Sequence, residues 1–178
     1  LDFGFVQQGT YGDDQAFVKE HPINPPASLA PPVEFLRRFF PHYRSDNAIQ
    51  KFIVPIQPHF HDIIFPDYPG NGGSGSSGRL AHLGNAIKLA YLSHAPSNQV
   101  QPGDVVLFYR SRDTKAITSL GVVERVLASR DVDEIVKAVR RRTVYSQEQI
   151  EEMAKRTTKV MLFRHIRHFD TPISYQAL

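Results

Sequence analysis

Gly103-Asp104-Val105-Val106-Leu107-Phe108-Tyr109-Arg110-Ser111, followed beyond a polar loop by Leu120-Gly121-Val122-Val123-Glu124, is the stretch on which the fold turns. A Gly-Asp pair ahead of β-branched and aromatic residues reads as a strand entered from a tight turn. The run from Leu120 to Leu127 reads as its hairpin partner, so that strands are expected over 104–110 and 117–127. The first strand ends on Phe108, Tyr109, Arg110 and Ser111. It thus carries an aromatic plane, a guanidinium and a hydroxyl to one place. Side chains alternate along a strand, so one of Phe108 and Tyr109 belongs to the core and the other to a cleft.

Upstream, Lys51–Ile56 reads as a buried strand, and Pro58 opens a short helix through Phe65 that Pro66 stops. Leu83–Ser93, with Ile87, Leu89, Ala90 and Leu92, predicts a helix. Between them, Pro69-Gly-Asn-Gly-Gly-Ser-Gly-Ser-Ser-Gly78 has the composition of a flexible linker, even of a cloning linker, standing for a longer loop or joining two segments. Downstream, Asp131 caps a helix from Val132 to Arg141 with Glu134 in the capping-box position. Ser146 caps Gln147–Lys155 with Gln149 in the same position. Val160–Arg164 reads as a strand, and Pro172–Leu178 as a helix or extended tail.

At the N-terminus, strands are expected over Phe3–Val6 and Gln15–Lys19, joined by a turn cluster over Gly9–Asp14. Pro22, Pro25, Pro26, Pro31 and Pro32 form a stiff extended linker and mark a domain boundary, separating residues 1–32 from 33–178. Pro32 suits the first turn of a helix over Val33–Phe40, whose Phe35, Leu36, Phe39 and Phe40 make an apolar packing stripe.

Composition narrows the class. The chain is 41% apolar and 22% charged, ordinary for a globular domain. No apolar run approaches the length of a membrane span. The start, Leu1-Asp2-Phe3-Gly4, has neither the basic region of a signal peptide nor an initiator Met, as expected of a fragment. With no cysteine, disulfides and Cys-ligated zinc are excluded, and a cytoplasmic location is expected. The formal net charge is +3, yet the isoelectric point is about 9.2. Basic residues gather from Lys137 onward: Arg140, Arg141, Arg142, Lys155, Arg156, Lys159, Arg164 and Arg167. Such a cluster points to a polyanion, or else to solvated helix faces paired with Glu148, Glu151 and Glu152.

The Gly-Asp turn, the apolar strand with Tyr109 and Ser111, and the following Gly121-Val-Val-Glu124 resemble the PUA-like superfamily, especially its EVE and ASCH branches. Phe52–Phe65 resembles the opening strand and helix of an ASCH-type barrel. Gly84–Tyr91 resembles the helix before the Gly-Asp turn of EVE domains, without that motif's Arg and its Tyr. The Gly-x-Lys-x-x-Glu-x-Arg motif of ASCH domains is missing. The resemblance covers roughly residues 51–178 and implies an α+β fold, a PUA-like small mixed β-barrel with flanking helices. It further implies binding of nucleic acid, either RNA or a modified base in RNA or DNA. The first twenty residues, Gly4-Phe5 and Phe17-Val18-Lys19 among them, are similar to the last hairpin of a GNAT acetyltransferase. That likeness implies the alternative of a regulatory or substrate-recruiting tail, any catalysis lying upstream.

Three constellations can carry chemistry. For nucleic acid, Tyr91 or Tyr109 offers a stacking face, Arg110 stacks or meets phosphate, and Ser111 and Asn85 read a base edge. Lys88 and the run Arg140, Arg141 and Arg142 add positive charge. For an amidohydrolase of modified nucleosides, Lys51 or Lys88, Thr118 or Ser119, and Glu124 must converge. For a metal, His59 and His61 share a face only on a strand, whereas Pro58 favours a helix on which they diverge. The expectation is a nucleic-acid-binding domain without metal or cofactor, and without catalysis in this chain.

Overall fold

The computed structural model describes residues 3–25, 30–70, 87–95, 99–140, 142 and 145–177. The chain divides into two compact units, Leu1–Ile49 and Gln50–Leu178. The helix after the proline-rich stretch therefore counts with the first unit, and the barrel unit starts at Gln50.

In the first unit, β1 (Val6–Tyr11) and β2 (Asp14–Val18) form a two-stranded antiparallel ribbon. Tyr11 pairs with Asp14, so only Gly12 and Asp13 make the turn, with Gly12 in the left-handed region at φ 61°. The first strand thus runs later than Phe3–Val6. Gly9 pairs with Ala16 directly after a register irregularity at Gln8, and is not the start of the turn. Helix α1 (Pro32–Phe39) has Pro32 in its first turn and buries Phe35, Leu36 and Phe39.

The second unit is built on a curled, half-barrel sheet of β3 (Lys51–Ile56), β4 (Lys88–Ser93), β5 (Val105–Arg110), β6 (Ala116–Ser129) and β7 (Thr158–Ser174). Its strand order is β3-β5-β6-β7-β4. The β3–β5 pair is parallel and the others antiparallel, so the mixed α+β barrel expected of the sequence is what forms. The β5–β6 hairpin lies where the Gly-Asp turn puts it, with Gly103 at φ 98°. Phe108 is fully buried and Tyr109 only half-buried, which decides the alternation.

Both faces of the sheet are covered. On the inner face, Ile56, Val106, Phe108, Val123 and Phe163 pack beneath α2 (Pro58–Ile64) and the Phe65 that follows it. The Phe65 ring meets Phe108 edge-on at 5.0 Å. On the outer face, Ala90, Leu92, Val160 and Leu162 pack against α3 (Val132–Val139) and α4 (Gln147–Ala154). Full burial of one such side chain contributes about 1.5–3 kcal/mol.

Double coverage explains the main correction. Residues 88–93 form a strand and not the second half of a helix. Lys88, Ala90 and Leu92 align with Arg164, Leu162 and Val160 on the outer face, while Leu89 and Tyr91 join the inner core. With both faces apolar, the period-2 signature is lost. Residues 83–86, Asn85 among them, lie outside the described residues, as do 71–78 of the glycine-rich tract. Strand β7 is likewise longer than Val160–Arg164. It pairs along β6 and carries Pro172 within it before a 3-10 turn, Tyr175–Ala177.

The caps also differ in detail. Ser146 and Gln149 make a complete capping box. Asp131 accepts the Asp133 and Glu134 amides, but Glu134 does not reach back to it. Instead, the Ser129 hydroxyl accepts the Asp131 amide and donates to Glu134. Among the described residues no helix is long and apolar enough to cross a membrane.

Candidate nucleic-acid interface

Among the described residues, strands β3 and β4 are the two outermost strands of the sheet, and residues of both line one pocket. Pro55, lacking an amide hydrogen, fits β3 for an edge. The pocket is a cavity of about 420 Å³ walled by Phe52, Val54, Tyr91, Val100, Val126 and Met161. Ser93 and Lys159 are the polar exceptions, together with the Tyr91 hydroxyl. Burial pushes the Tyr91 phenol pKa up, so its hydroxyl stays protonated and able to donate. The Tyr91 ring is braced edge-on by Phe108 at 6.2 Å. The volume lies in the range of small-ligand pockets, and apolar walls with a few polar groups suit a flat aromatic ligand.

Cations edge one end of this pocket. Lys159 lies in register with Ser93 on one side and Ala128 on the other. Next to it, the Arg130 Nε donates to Thr157 Oγ1 at 3.0 Å, and Arg156 Nη2 donates to His94 Nδ1 at 2.9 Å. His94 follows Ser93 and precedes Ala95, both on the pocket wall. Its other nitrogen faces the Met153 carbonyl at 3.0 Å and Thr158 Oγ1 at 3.1 Å, which makes that nitrogen the protonated one.

The opposite corner, under α2, holds a polar chain. Arg110 Nη1 donates to His61 Nδ1 at 3.1 Å, so the His61 proton sits on Nε2 and goes to Thr118 Oγ1 at 2.7 Å. Thr118 Oγ1 in turn donates to the Phe108 carbonyl and accepts from Ser119. Ser119 Oγ lies 2.9 Å from His168 Nδ1, and His168 Nε2 lies 3.4 Å from Asp67. Burial, aided by the Arg110 charge, pulls the His61 pKa down to about 4. His165 falls to about 4 for the same reason, with His168 contributing. Ser119 and Thr118 are fully buried. Both hydroxyls are therefore buried members of one hydrogen-bonded packing network.

The residues singled out in the sequence separate into groups. Tyr91 lines the pocket. Tyr109 is half-buried, in register with Pro55 and Ile117, and is not part of the pocket wall. Arg110 is buried and held by Asp62 and by a double contact with Asp113, whose carboxyl it holds down at about 2. Ser111 donates to the Ile56 carbonyl. Lys88 is buried on the outer face, in register with Arg164. Arg140 is exposed just past α3, Arg141 lies outside the described residues, and Arg142 pairs with Glu124. Glu124 also holds the fully buried Arg164 at 2.7 Å. Burial alone would raise the Glu124 pKa; the two guanidinium bonds outweigh it and hold it low. The hydroxyls and the Glu of the hydrolase reading are engaged in separate networks. Glu124 is occupied by Arg142 and Arg164, while Thr118 and Ser119 are bonded under α2. Histidines 59 and 61 diverge on α2, His61 buried and His59 exposed. Among the described residues no group of three His, Asp or Glu is placed to hold a metal.

Sequence reasoning missed Phe52, Val100, Val126 and Met161 as pocket walls, and Arg130 as a neighbour of Arg156. Pro55 was the available signal for Phe52. A proline inside an apolar run marks an edge strand, and an edge strand's inner aromatic borders an open seam.

A family model described as "Domain of unknown function (DUF365)" matches residues 85–177. No curated protein matches the chain. Among solved structures, ASCH from Zymomonas mobilis is similar at 13% identity and a TM-score of 0.51, covering 72% of this chain and 76% of that one. A tyrosine-to-phenylalanine mutant of the same protein gives 12% identity and a TM-score of 0.51, covering 72% and 78%. At such identities the likeness is one of fold, and the fold is the ASCH, PUA-like one.

Proposed function

The chain belongs to the DUF365 family, a domain family of unknown function, and from that premise we propose that its barrel unit binds nucleic acid, taking one unstacked base of RNA or a modified base into the seam pocket. The observation that carries this reading is the pocket itself, about 420 Å³, apolar, and flanked by the aromatic rings of Phe52 and Tyr91. A base buried in a duplex stack cannot enter a cavity between two strand edges, so the ligand is single-stranded or carries an extruded base. Stacking on an aromatic face contributes about 1–3 kcal/mol per base and tolerates any base. The Tyr91 hydroxyl, Ser93 and Lys159 are the groups able to read an edge. The PUA-like fold agrees with this reading.

The test is binding of labelled single-stranded RNA and DNA oligonucleotides at low salt, where electrostatics are strongest. Tyr91→Ala is expected to weaken binding by roughly 5- to 150-fold, equivalent to about 1–3 kcal/mol. Tyr109→Ala, outside the pocket, is expected to change it little. Failure of the wild-type chain to bind any oligonucleotide or modified nucleoside would overturn the proposal.

A further inference from the structure

We infer that Arg130 and Arg156 form the phosphate subsite of the seam pocket, holding the phosphodiester of the nucleotide whose base enters it; this rests on the base-pocket reading above. The argument comes from how the basic residues of the second unit are partnered. Arg110 is neutralised by Asp62 and Asp113, Arg142 and Arg164 share Glu124, and Lys155 pairs with Glu152. Arg130 and Arg156 share the lack of a facing carboxylate with Arg112, Arg125, Arg140 and Arg167 among the described residues, but they alone of these are held by uncharged side-chain acceptors beside the pocket. Their partners, Thr157 Oγ1 and His94 Nδ1, carry no charge.

A neutral acceptor orients a guanidinium without cancelling its charge. Each arginine uses one N–H on that acceptor and keeps its remaining donors for an anion. His94 is well placed for this. Because its Nε2 faces the Met153 carbonyl, its Nδ1 is a lone-pair acceptor and aims Arg156. The carboxylates next in sequence are engaged elsewhere. Asp131 caps α3, Glu134 accepts from Ser129, and Glu152 holds Lys155.

Position ties the pair to the pocket. Arg156 is anchored on His94, between the pocket residues Ser93 and Ala95, and Arg130 lies two residues beyond Ala128 of the pocket wall. Ser129 and Thr158 are in register, so the chain segments carrying the two arginines run side by side. The expected run Arg140–Arg142 is a poorer phosphate site, since Arg142 is already committed to Glu124.

The experiment measures the salt dependence of binding of a short single-stranded oligonucleotide to the wild type, to Tyr91→Ala, and to Arg130→Gln with Arg156→Gln. The two guanidiniums share one phosphodiester, so their loss lowers the slope of log K against log salt by about 0.7, the value for one neutralised phosphate of a single strand. Tyr91→Ala should leave the slope unchanged while weakening binding at every salt concentration. Circular dichroism of the double variant checks its fold, and Arg130→Lys with Arg156→Lys should restore most of the slope. If the slope is the same in the Gln double variant while Tyr91→Ala still weakens binding, the phosphate subsite is wrong and the base pocket stands. If the slope falls while Tyr91→Ala has no effect, the two arginines meet phosphate but not that of a pocketed base, and both the base pocket and its subsite are wrong. Absence of binding by the wild type overturns both.

Discussion

Removing the Glu124 carboxylate is expected to be the most damaging single change on the outer face of the sheet. Arg164 is fully buried, and its Nε lies 2.7 Å from Glu124 Oε1. Arg142 reaches the other oxygen from a partly exposed position. A buried cation deprived of its facing carboxylate costs about 3–5 kcal/mol. Glu124→Leu should therefore lose most of that amount, and Arg142→Ala only about 1.5–3 kcal/mol, the value of a charged hydrogen bond. Glu124→Leu combined with Arg164→Met should lose less than Glu124→Leu alone, because the apolar pair leaves no charge behind. Urea unfolding checks this: the midpoint should shift with little change in m. A loss below about 1 kcal/mol for Glu124→Leu, or a double variant worse than the single one, would refute the reasoning.

Other changes test other parts of the fold. His61 and His165 have folded pKa values of about 4 against an unfolded value of 6.5, so the unfolded chain binds more protons between them. Their neutral burial is without penalty above pH 6.5, and stability falls as pH drops from 6.5 to 4, by up to about 3 kcal/mol for each. Urea midpoints that stay flat between pH 8 and pH 4.5 would contradict this. Gly121→Ala would set a Cβ 2.6 Å from a Phe163 ring carbon and 3.0 Å from the Arg164 carbonyl oxygen. It is expected to destabilise by about 1–3 kcal/mol, read as a lowered melting temperature. Asp131→Ala, which removes the one carboxylate oxygen that accepts two amides at the start of α3, should cost about 0.5–2 kcal/mol in the same assay.

Much of the barrel is legible because its signals are local. Gly103-Asp104, Pro58, Asp131 and Ser146 each announce an element start through backbone chemistry that no tertiary contact overrides. Strand β4 is illegible for the opposite reason. Its Ala90 and Leu92 are buried by α3 and α4 and its Leu89 by the inner core, so no alternation survives. The site was harder still. Tyr91 was singled out for its aromatic ring, yet it meets Phe52 and Met161 only through the sheet topology. Arg110 looked like a free guanidinium because its partners Asp62 and Asp113 come from a helix and a loop. A run of basic residues likewise does not show which of them carboxylates neutralise; Glu124 decides that for Arg142 and Arg164.

The central claim, that a base enters the seam pocket, has a built-in probe in the chain's two methionines. Met161 lines the pocket, whereas Met153, on α4, packs against the outer cluster. With methyl-labelled methionine, titration of a single-stranded oligonucleotide should shift the Met161 methyl resonance by the ring current of the inserted base and leave Met153 in place. Tyr91→Ala should abolish or greatly weaken the shift. Binding with a stationary Met161 signal, or equal movement of both methyls, would contradict the account.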